Sequence, residues 1–459
     1  MLSKALAKDF LWGNSTSSMQ TEGASEEGGK GKSVYDVHLE NKETSIWDTA
    51  IDEYHRYEED FDLMQEMGMT CYRFQISWSR VCPQGDGDFN EEGIEFYRRL
   101  IDALIERGIT PMVCLYHFDM PLNLSQKYNG FLSRKVVDAF VRFAKKMVDL
   151  FAEKVPYWIT FNEQNLYSTS YAPIYAGCDK NENSDEVIYT IAHHVMVAHA
   201  KVANYLHQTT NSQVGGMLAY EVTYPATTNP QDQRFARQID EYMNRNLLEV
   251  FMNGQYSSEV MAYTKNHNID FDFTNEDKNE FKQLTSDFIA FSYYRSNVID
   301  SSRVPINTIP NRYLDYGMVR NTYTRYNEWD WNVDPLAFRE VMTKIFNTYK
   351  IPVFPIENGI GVREDYHGKE INDSYRIDYH QKHIKALKDA VFEDGVKVLG
   401  YLGWGLIDIP SSSGDMEKRY GTVYVNRDNQ EIKDLKRIPK KSFYWLKEVI
   451  TSNGKNLNF

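Results

Sequence analysis

Cysteine is scarce in this sequence: Cys71, Cys82, Cys114 and Cys178 are the four among 459 residues. None forms a Cys-x-x-Cys pair, so neither a disulfide framework nor a zinc ribbon is indicated, and free thiols are expected. Long apolar runs are missing as well. No stretch reaches the roughly 18 residues of a membrane-spanning helix. Met1 to Phe10 carries Lys4, Lys8 and Asp9 and has no apolar centre, so no secretory leader is read there. A cytoplasmic protein with no membrane partner is the expectation. Positive charge is outnumbered, with 51 lysines and arginines against 65 acids and a net charge of −14. That balance argues against nucleic acid, which binds through clustered positive charge, but leaves room for a small anionic ligand in a locally basic pocket. Linkers rich in proline or serine and low-complexity tracts are also absent. With 42% hydrophobic and 25% charged residues, disorder is excluded and one domain over residues 1–459 is expected.

What is present is an alternation of strand and helix patterns. Phe10 to Gly13 reads as a first strand, and Tyr54, Tyr57, Phe61 and Met64 then recur at helical spacing. Cys71 to Ile76 is a second strand. Ile94, Tyr97, Ile101 and Leu104 repeat the helical period, Gly108 stops it, and Ile109 to Tyr116 is a third strand. Pro156 to Phe161, Gln213 to Tyr220, Asp287 to Tyr294, Ile351 to Ile356 and Val396 to Trp404 supply five more, separated by segments such as Val136 to Phe151 and Tyr375 to Phe392. Eight strands joined by helical crossovers predict an α/β fold, a (β/α)₈ TIM barrel with elaborated βα loops.

Such barrels gather their chemistry at the carboxyl ends of the strands. Gln20 and Glu22 follow strand one, Arg73 lies in strand two, His117 follows strand three, and Asn162 and Glu163 close strand four. Tyr294, Glu357 and Trp404 close strands six, seven and eight. Either glutamate alone would read as an ion-paired surface acid. Together they are the two carboxylates that a glycosidase sets on either side of a glycosidic bond, one to attack or activate water and one to protonate the leaving oxygen.

Several blocks resemble the signatures of family 1 glycoside hydrolases. They are Phe10-Leu11-Trp12-Gly13 with Gln20-Thr21-Glu22-Gly23, Tyr72 to Arg80, Thr160-Phe161-Asn162-Glu163, His193 to Ala200, Ile356-Glu357-Asn358-Gly359 and Lys418-Arg419-Tyr420-Gly421, and the match runs from about Lys8 to Lys447. The resemblance implies retaining hydrolysis of β-glycosides with no metal or organic cofactor. It makes Glu357 the nucleophile and Glu163 the acid/base, with Arg73 beside the nucleophile and Tyr294 orienting it. In a retaining pair about 5 Å apart, ionising one acid raises the pKa of the other, which fits these roles. Asn162 would hydrogen-bond the sugar 2-hydroxyl. Gln20, His117 and Trp404 match positions that bind the glycone, and Trp331 is assigned to the platform under the leaving group. Trp329 is read as core packing. Ser292 stands where many β-glucosidases of the family have asparagine, and Phe118 where many members carry tryptophan.

The loop after strand eight departs from ordinary β-glucosidases of the family. Seven places before Lys418 they resemble one another in a glutamate that grips the 4- and 6-hydroxyls, followed by tryptophan; this sequence has Ser411 and Ser412. A glutamate about 4 Å from a 6-phosphate would repel it by roughly 1 to 4 kcal/mol per charge pair, whereas serine donates a hydrogen bond. Ser411, Lys418 and Tyr420 resemble the phosphate grip of the 6-phospho-β-glucosidase branch. Phosphogalactosidases resemble this loop but place tryptophan at the position of Ser412, so the small residue favours a 6-phosphogluco configuration.

Two other signals are set aside. Gly28 to Ser33 lacks the first glycine of a phosphate-binding P-loop and reads as a flexible loop, and His193, His194 and His199 lack the spacing of a helical metal site. The expected substrate is a small phosphorylated β-glucoside, cellobiose-like or aryl, delivered by a sugar-phosphorylating transporter as the resemblance implies. A β-glucosidase for unphosphorylated sugars, a dual 6-phospho-β-glucosidase/galactosidase and a non-catalytic sugar-phosphate sensor stay open. So do the leaving-group preference and assembly into a homo-oligomer.

Overall fold

Eight parallel strands form one sheet in the computed structural model, which describes residues 4–37, 46–180 and 182–458. The expectations for Met1 to Phe10 and for a span of 1–459 therefore fall partly outside the described residues. The strands are β1 (Leu11–Ser15), β2 (Cys71–Gln75), β3 (Thr110–Cys114), β4 (Tyr157–Ile159), β5 (Gln213–Ala219), β6 (Phe288–Tyr293), β7 (Val353–Asn358) and β8 (Gly400–Trp404). Each pairs with its neighbours in chain order, and β1 pairs with β8. The remaining seam, between β7 and β8, is joined through Val353 N to Lys397 O at 3.0 Å and Leu399 N to Val353 O at 3.0 Å. The sheet thus closes on itself as the alternating strand and helix patterns predict. Among the described residues no helix is long and apolar enough to cross a membrane.

Alternation along the strands divides the core in two. Cys71, Met112, Cys114, Ile159, Met217, Phe288, Ala290, Phe354, Ile356 and Leu402 point inward and fill the barrel. The opposite faces pack on the helices. Helix α1 (Arg134–Phe151) buries Val136, Phe140, Phe143, Met147 and Phe151, the stripe expected of an amphipathic helix, and Ser133 caps it by accepting from Lys135 N. Its Phe140 ring stands 4.4 Å from Phe161, so the helix packs directly on the segment that carries Asn162 and Glu163. Helix α2 (Asp185–Thr209) supports the same segment, with His199 Nδ1 2.7 Å from Thr160 Oγ1. His193, His194 and His199 of that helix are all buried.

Two local features differ from the sequence reading. The Gly28 to Ser33 stretch, expected to be flexible, is tied down: Gly31 N donates to Ser79 O, Leu122 N donates to Lys32 O, and Asn90 Nδ2 donates to Gly28 O. Glycine is needed there for close approach, since a Cβ at Gly31 would lie 2.1 Å from Pro83 O. Strand β7 also contains a bulge. Pro355 pairs with Phe291 but Glu357 pairs with Ser292, so Ile356 has no partner of its own.

The closeness of β1 to β2 yields a test. A Cβ at Gly13 would sit 1.8 Å from the Cys71 carbonyl oxygen, which belongs to the neighbouring strand and cannot rotate away. Gly13→Ala is expected to destabilise the fold by about 1–3 kcal/mol or more, read as a lower denaturation midpoint; an unchanged midpoint would contradict the packing described.

Candidate active site

The barrel's inward alternation ends in polar groups at the carboxyl rim, where an open pocket of about 450 Å³ lies. Gln20, His117, Asn162, Glu163, Tyr294, Trp331, Glu357, Trp404, Ser411, Ser412, Lys418 and Tyr420 all line it. Arg73 lies one layer below, fully buried. Glu22 does not reach the pocket floor; it is buried in an ion pair with Arg80 at 2.8 Å and a hydrogen bond from Tyr97.

The bulge in β7 is what brings Glu357 inward. Phe354 and Ile356 both point into the barrel, so strict alternation would turn Glu357 outward; the extra residue shifts the register and sets it beside Ser292. Asn358 then points away from the pocket, where Tyr401 donates to its Oδ1 at 2.7 Å and its Nδ2 donates to Tyr293 O at 2.7 Å. Glu163 is presented differently. It follows the end of β4 with φ of 43°, in the left-handed region, and Phe118, next to His117, has φ of 72°. Strained backbone of this kind costs on the order of 1–3 kcal/mol per residue and concentrates at functional sites.

One cation holds a carboxyl and the amide next to the other. Arg73 Nη1 donates to Glu357 Oε1 at 2.5 Å and Arg73 Nη2 donates to Asn162 Oδ1 at 2.6 Å. Tyr294 donates to the other oxygen of Glu357 at 2.9 Å. Burial pushes the Glu357 carboxyl up, and Arg73 and Tyr294 pull it back. Glu163 has no such cation in contact. Burial, then the negative charge of Glu357, push it up to about 8, while a hydrogen bond donated by Ser292 to its Oε1 opposes the rise. The first proton therefore leaves Glu357, and Glu163 keeps its own near neutrality.

The remaining groups offer hydrogen bonds and flat faces. With Asn162 Oδ1 held by Arg73, its buried Nδ2 is left without a protein partner. Gln20 is partly committed, since its Nε2 donates to Pro410 O at 2.7 Å and its Oε1 accepts from Ser17 at 2.5 Å. One hydrogen and one lone pair of that amide remain. His117 is held neutral by burial and then by the Arg73 charge, and its ring tilts against Trp404 with centroids 5.5 Å apart.

The loop after β8 forms an anion-accepting corner. Arg419 bridges Val362 through paired backbone hydrogen bonds of 3.0 and 3.2 Å. In such an extended segment residues two apart share a face, so Lys418 and Tyr420 both face the pocket while Arg419 turns away to Asp408 at 3.1 Å. Gly361 makes the space, because a Cβ there would lie 2.6 Å from Lys418 Cγ. Among the described residues no carboxylate stands within 4 Å of Lys418 Nζ. Its ammonium lies 3.6 Å from the centre of the Trp331 ring, and burial, then the Arg295 charge, push its pKa down to about 8. Ser411 is 6% exposed, its Oγ lies 2.9 Å from Ser413 Oγ, and Ser413 also lines the pocket.

Trp331 thus gives one face to Lys418 rather than only to a leaving group. Trp329, read as core packing, is instead half-buried, with Arg363 over its ring at 4.7 Å and Lys418 at 5.6 Å. Residues that carried no role in the sequence reading also line the pocket, notably Ser292, Ser413, Glu221, Arg295 and Tyr175. Glu221 stands just past β5 and Arg295 just past β6, so their rim position was the available signal.

Comparison with known proteins agrees with this geometry. The profile of glycosyl hydrolase family 1 matches residues 2–455. The chain is 39% identical to the aryl-phospho-β-D-glucosidase BglA of Bacillus subtilis (strain 168), over 98% of this chain and 99% of that protein. It is 37% identical to a 6-phospho-β-glucosidase of Dickeya chrysanthemi, over 99% and 100% of the two chains. Among solved structures it superposes on a family 1 β-glucosidase from Thermotoga maritima with a TM-score of 0.87 and 28% identity, covering 98% of this chain and 99% of that one.

The contact between Ser292 and Glu163 is testable by itself. Ser292→Ala removes a donor that favours the charged carboxylate, so the Glu163 pKa is expected to rise further above about 8. A ¹³C titration of labelled glutamate carboxyls would read the shift, and a fall or no change would contradict the assignment.

Proposed function

The chain belongs to glycosyl hydrolase family 1 and is a glycosidase, and on that premise we propose that it hydrolyses 6-phospho-β-D-glucosides with retention at the anomeric carbon. The observation that carries this reading is Lys418, buried in the pocket of Glu163 and Glu357 with no carboxylate of the described residues within 4 Å. A buried lysine without a counter-charge is costly, and a phosphate monoester supplies the missing negative charge. The activities for which the two relatives are named support the same substrate class.

In this reading Glu357, ionised beside Arg73, attacks the anomeric carbon while Glu163 gives its proton to the leaving oxygen. Forming the ester removes the charge of Glu357, so the Glu163 carboxylate left behind is stabilised as a base. It then takes a proton from water, whose oxygen displaces Glu357 from the same carbon and restores the starting charges. The free Nδ2 of Asn162 donates to the sugar 2-hydroxyl, and Gln20, His117 and Trp404 hold the rest of the ring. Ser411, Lys418 and Tyr420 receive the 6-phosphate, and the small Ser412 suits a gluco configuration. A phosphorylated sugar does not diffuse through a membrane, so the reading carries with it a cytoplasmic enzyme of carbohydrate metabolism supplied by a step that phosphorylates O6.

A chromogenic β-glucoside and its 6-phosphate test the reading: the phosphorylated form should have the higher kcat/KM, and the reverse order would refute it. Ser411→Glu should cost the phosphorylated substrate roughly 1 to 4 kcal/mol more than the neutral one, about 5- to 1000-fold in kcat/KM. Equal losses would speak against contact with the phosphate.

The pH dependence separates the two ends of the site. Glu163 must be protonated to act as acid, so both substrates lose activity as pH rises through about 8. Lys418 is charged below about 8 and neutral above it, so the ratio of kcat/KM for phosphorylated over neutral substrate should also fall through that pH. In Lys418→Met the ratio should be smaller and independent of pH; a ratio still falling near pH 8 would exclude Lys418 as its source.

A further inference from the structure

The anion corner holds one more serine than the reading above employs. Ser413 lines the pocket beside Ser411, Ser412, Lys418 and Tyr420, and its Oγ lies 2.9 Å from Ser411 Oγ. Ser411 is buried, whereas Ser413 is exposed.

The turn that carries the pair is closely specified. Ser411 N donates to Asp415 O at 2.9 Å, and Gly414 N donates to Ser411 O at 2.8 Å. Gly414 closes the turn with φ of 77°, in the left-handed region that glycine enters without steric cost. From the far side Met416 N donates to Asn429 Oδ1 at 2.7 Å, and Asn429 Nδ2 donates to Asp415 Oδ1 at 2.9 Å. The backbone of this turn therefore holds the two hydroxyls side by side.

Counting protons and lone pairs decides which way their bond runs when an anion is present. A serine hydroxyl has one proton to give and two lone pairs to fill. Asp415 N donates to Ser411 Oγ at 3.2 Å and occupies one of those lone pairs. Either hydroxyl of the pair can donate to the other, and the two directions leave different groups for a ligand. When Ser411 donates to Ser413, its proton is used and a lone pair is left over, which repels an anion. When Ser413 donates to Ser411, both lone pairs are filled and the Ser411 proton is free. A phosphate monoester dianion only accepts, so it selects the second direction. A neutral 6-hydroxyl both donates and accepts, so it makes no such demand. Hydroxyls that donate in series also polarise one another, which strengthens the last bond to a charged acceptor.

We propose that Ser413 is a positioning residue of the anion corner: it donates to Ser411 Oγ and so turns the Ser411 proton toward the 6-phosphate, without touching the phosphate itself. The inference rests on the 6-phospho-β-glucoside reading above and adds to it a residue that acts through Ser411.

The test is a double-mutant cycle read on one quantity, the ratio of kcat/KM for a chromogenic β-glucoside 6-phosphate over its unphosphorylated counterpart. Ser413→Ala should lower this ratio about fivefold, the size of one hydrogen bond. Ser413→Thr keeps the hydroxyl and should keep the ratio near that of wild type. Ser411→Ala should lower the ratio at least as far, and adding Ser413→Ala to it should lower it no further, because the relay has lost its second member. Equal losses on the two substrates from Ser413→Ala, or a threonine variant as poor as the alanine one, would overturn the proposal. So would an undiminished effect of Ser413→Ala in the Ser411→Ala background, which would make Ser413 a direct phosphate ligand. A ratio insensitive to Ser411→Ala would refute the phosphate reading and the relay together. A ratio lowered by Ser411→Ala but not by Ser413→Ala would refute the relay alone.

Discussion

One guanidinium carries the charge balance of this pocket. Arg73 is fully buried in β2 and touches both Glu357 and Asn162, and no other cation contacts Glu357 or Glu163 among the described residues. A lone buried carboxylate would be expensive, and two would be prohibitive. With a single cation the low-energy state has one negative charge, and contact places it on Glu357 while Glu163 retains a proton. The same arginine accounts for the free donor of Asn162, because holding Oδ1 leaves Nδ2 as the end of the amide without a partner. Beneath it Met217 Sδ lies 3.6 Å from Nη2, a polarizable neighbour for a group with little water.

The opposite corner of the pocket uses the reverse arrangement. Where Arg73 has its counter-ion built in, Lys418 lacks one, and its positive charge rests on the face of Trp331. Burial without a partner depresses its pKa, a state that an incoming anion relieves. Asp415 acts on Lys418 only through space, and the buried acids of this region are occupied elsewhere: Asp408 accepts from Arg419, Gly421 N and Lys440, and Glu364 pairs with Arg376 and Lys440. Those pairs hold the loop in the shape that presents alternate residues 418 and 420 to the pocket. A pocket balanced in this way is negative at Glu357 and positive at Lys418.

Much of the architecture was legible along the chain. Each of the eight strands lies where an apolar run ended in a polar or aromatic residue, and the helical repeats between them came from one buried face per helix. Short, strongly patterned segments such as Cys71 to Gln75 declare themselves because both faces are covered. The residues meeting at the rim were legible for the same reason, since each closes a strand. The role of Ser292 was not. It appeared only as a substitution for asparagine, and nothing local says that its hydroxyl faces a glutamate 129 positions earlier. The orientation of Glu357 was also hidden, because alternation read from Phe354 and Ile356 points it outward and only pairing with β6 exposes the bulge. Trp329 looked like core because tryptophan usually is; instead two cations lie over its half-buried ring.

By itself, then, the sequence determined the barrel, the pair of acids on two of its strands and the missing glutamate beside Lys418, because these depend on periodicity and on residue type within a few positions. Tertiary structure alone decided which carboxyl keeps the proton and which face of Trp331 is occupied. Those outcomes depend on distances between side chains far apart in the chain, and electrostatic energy varies with distance and burial, neither of which is written in the order of residues.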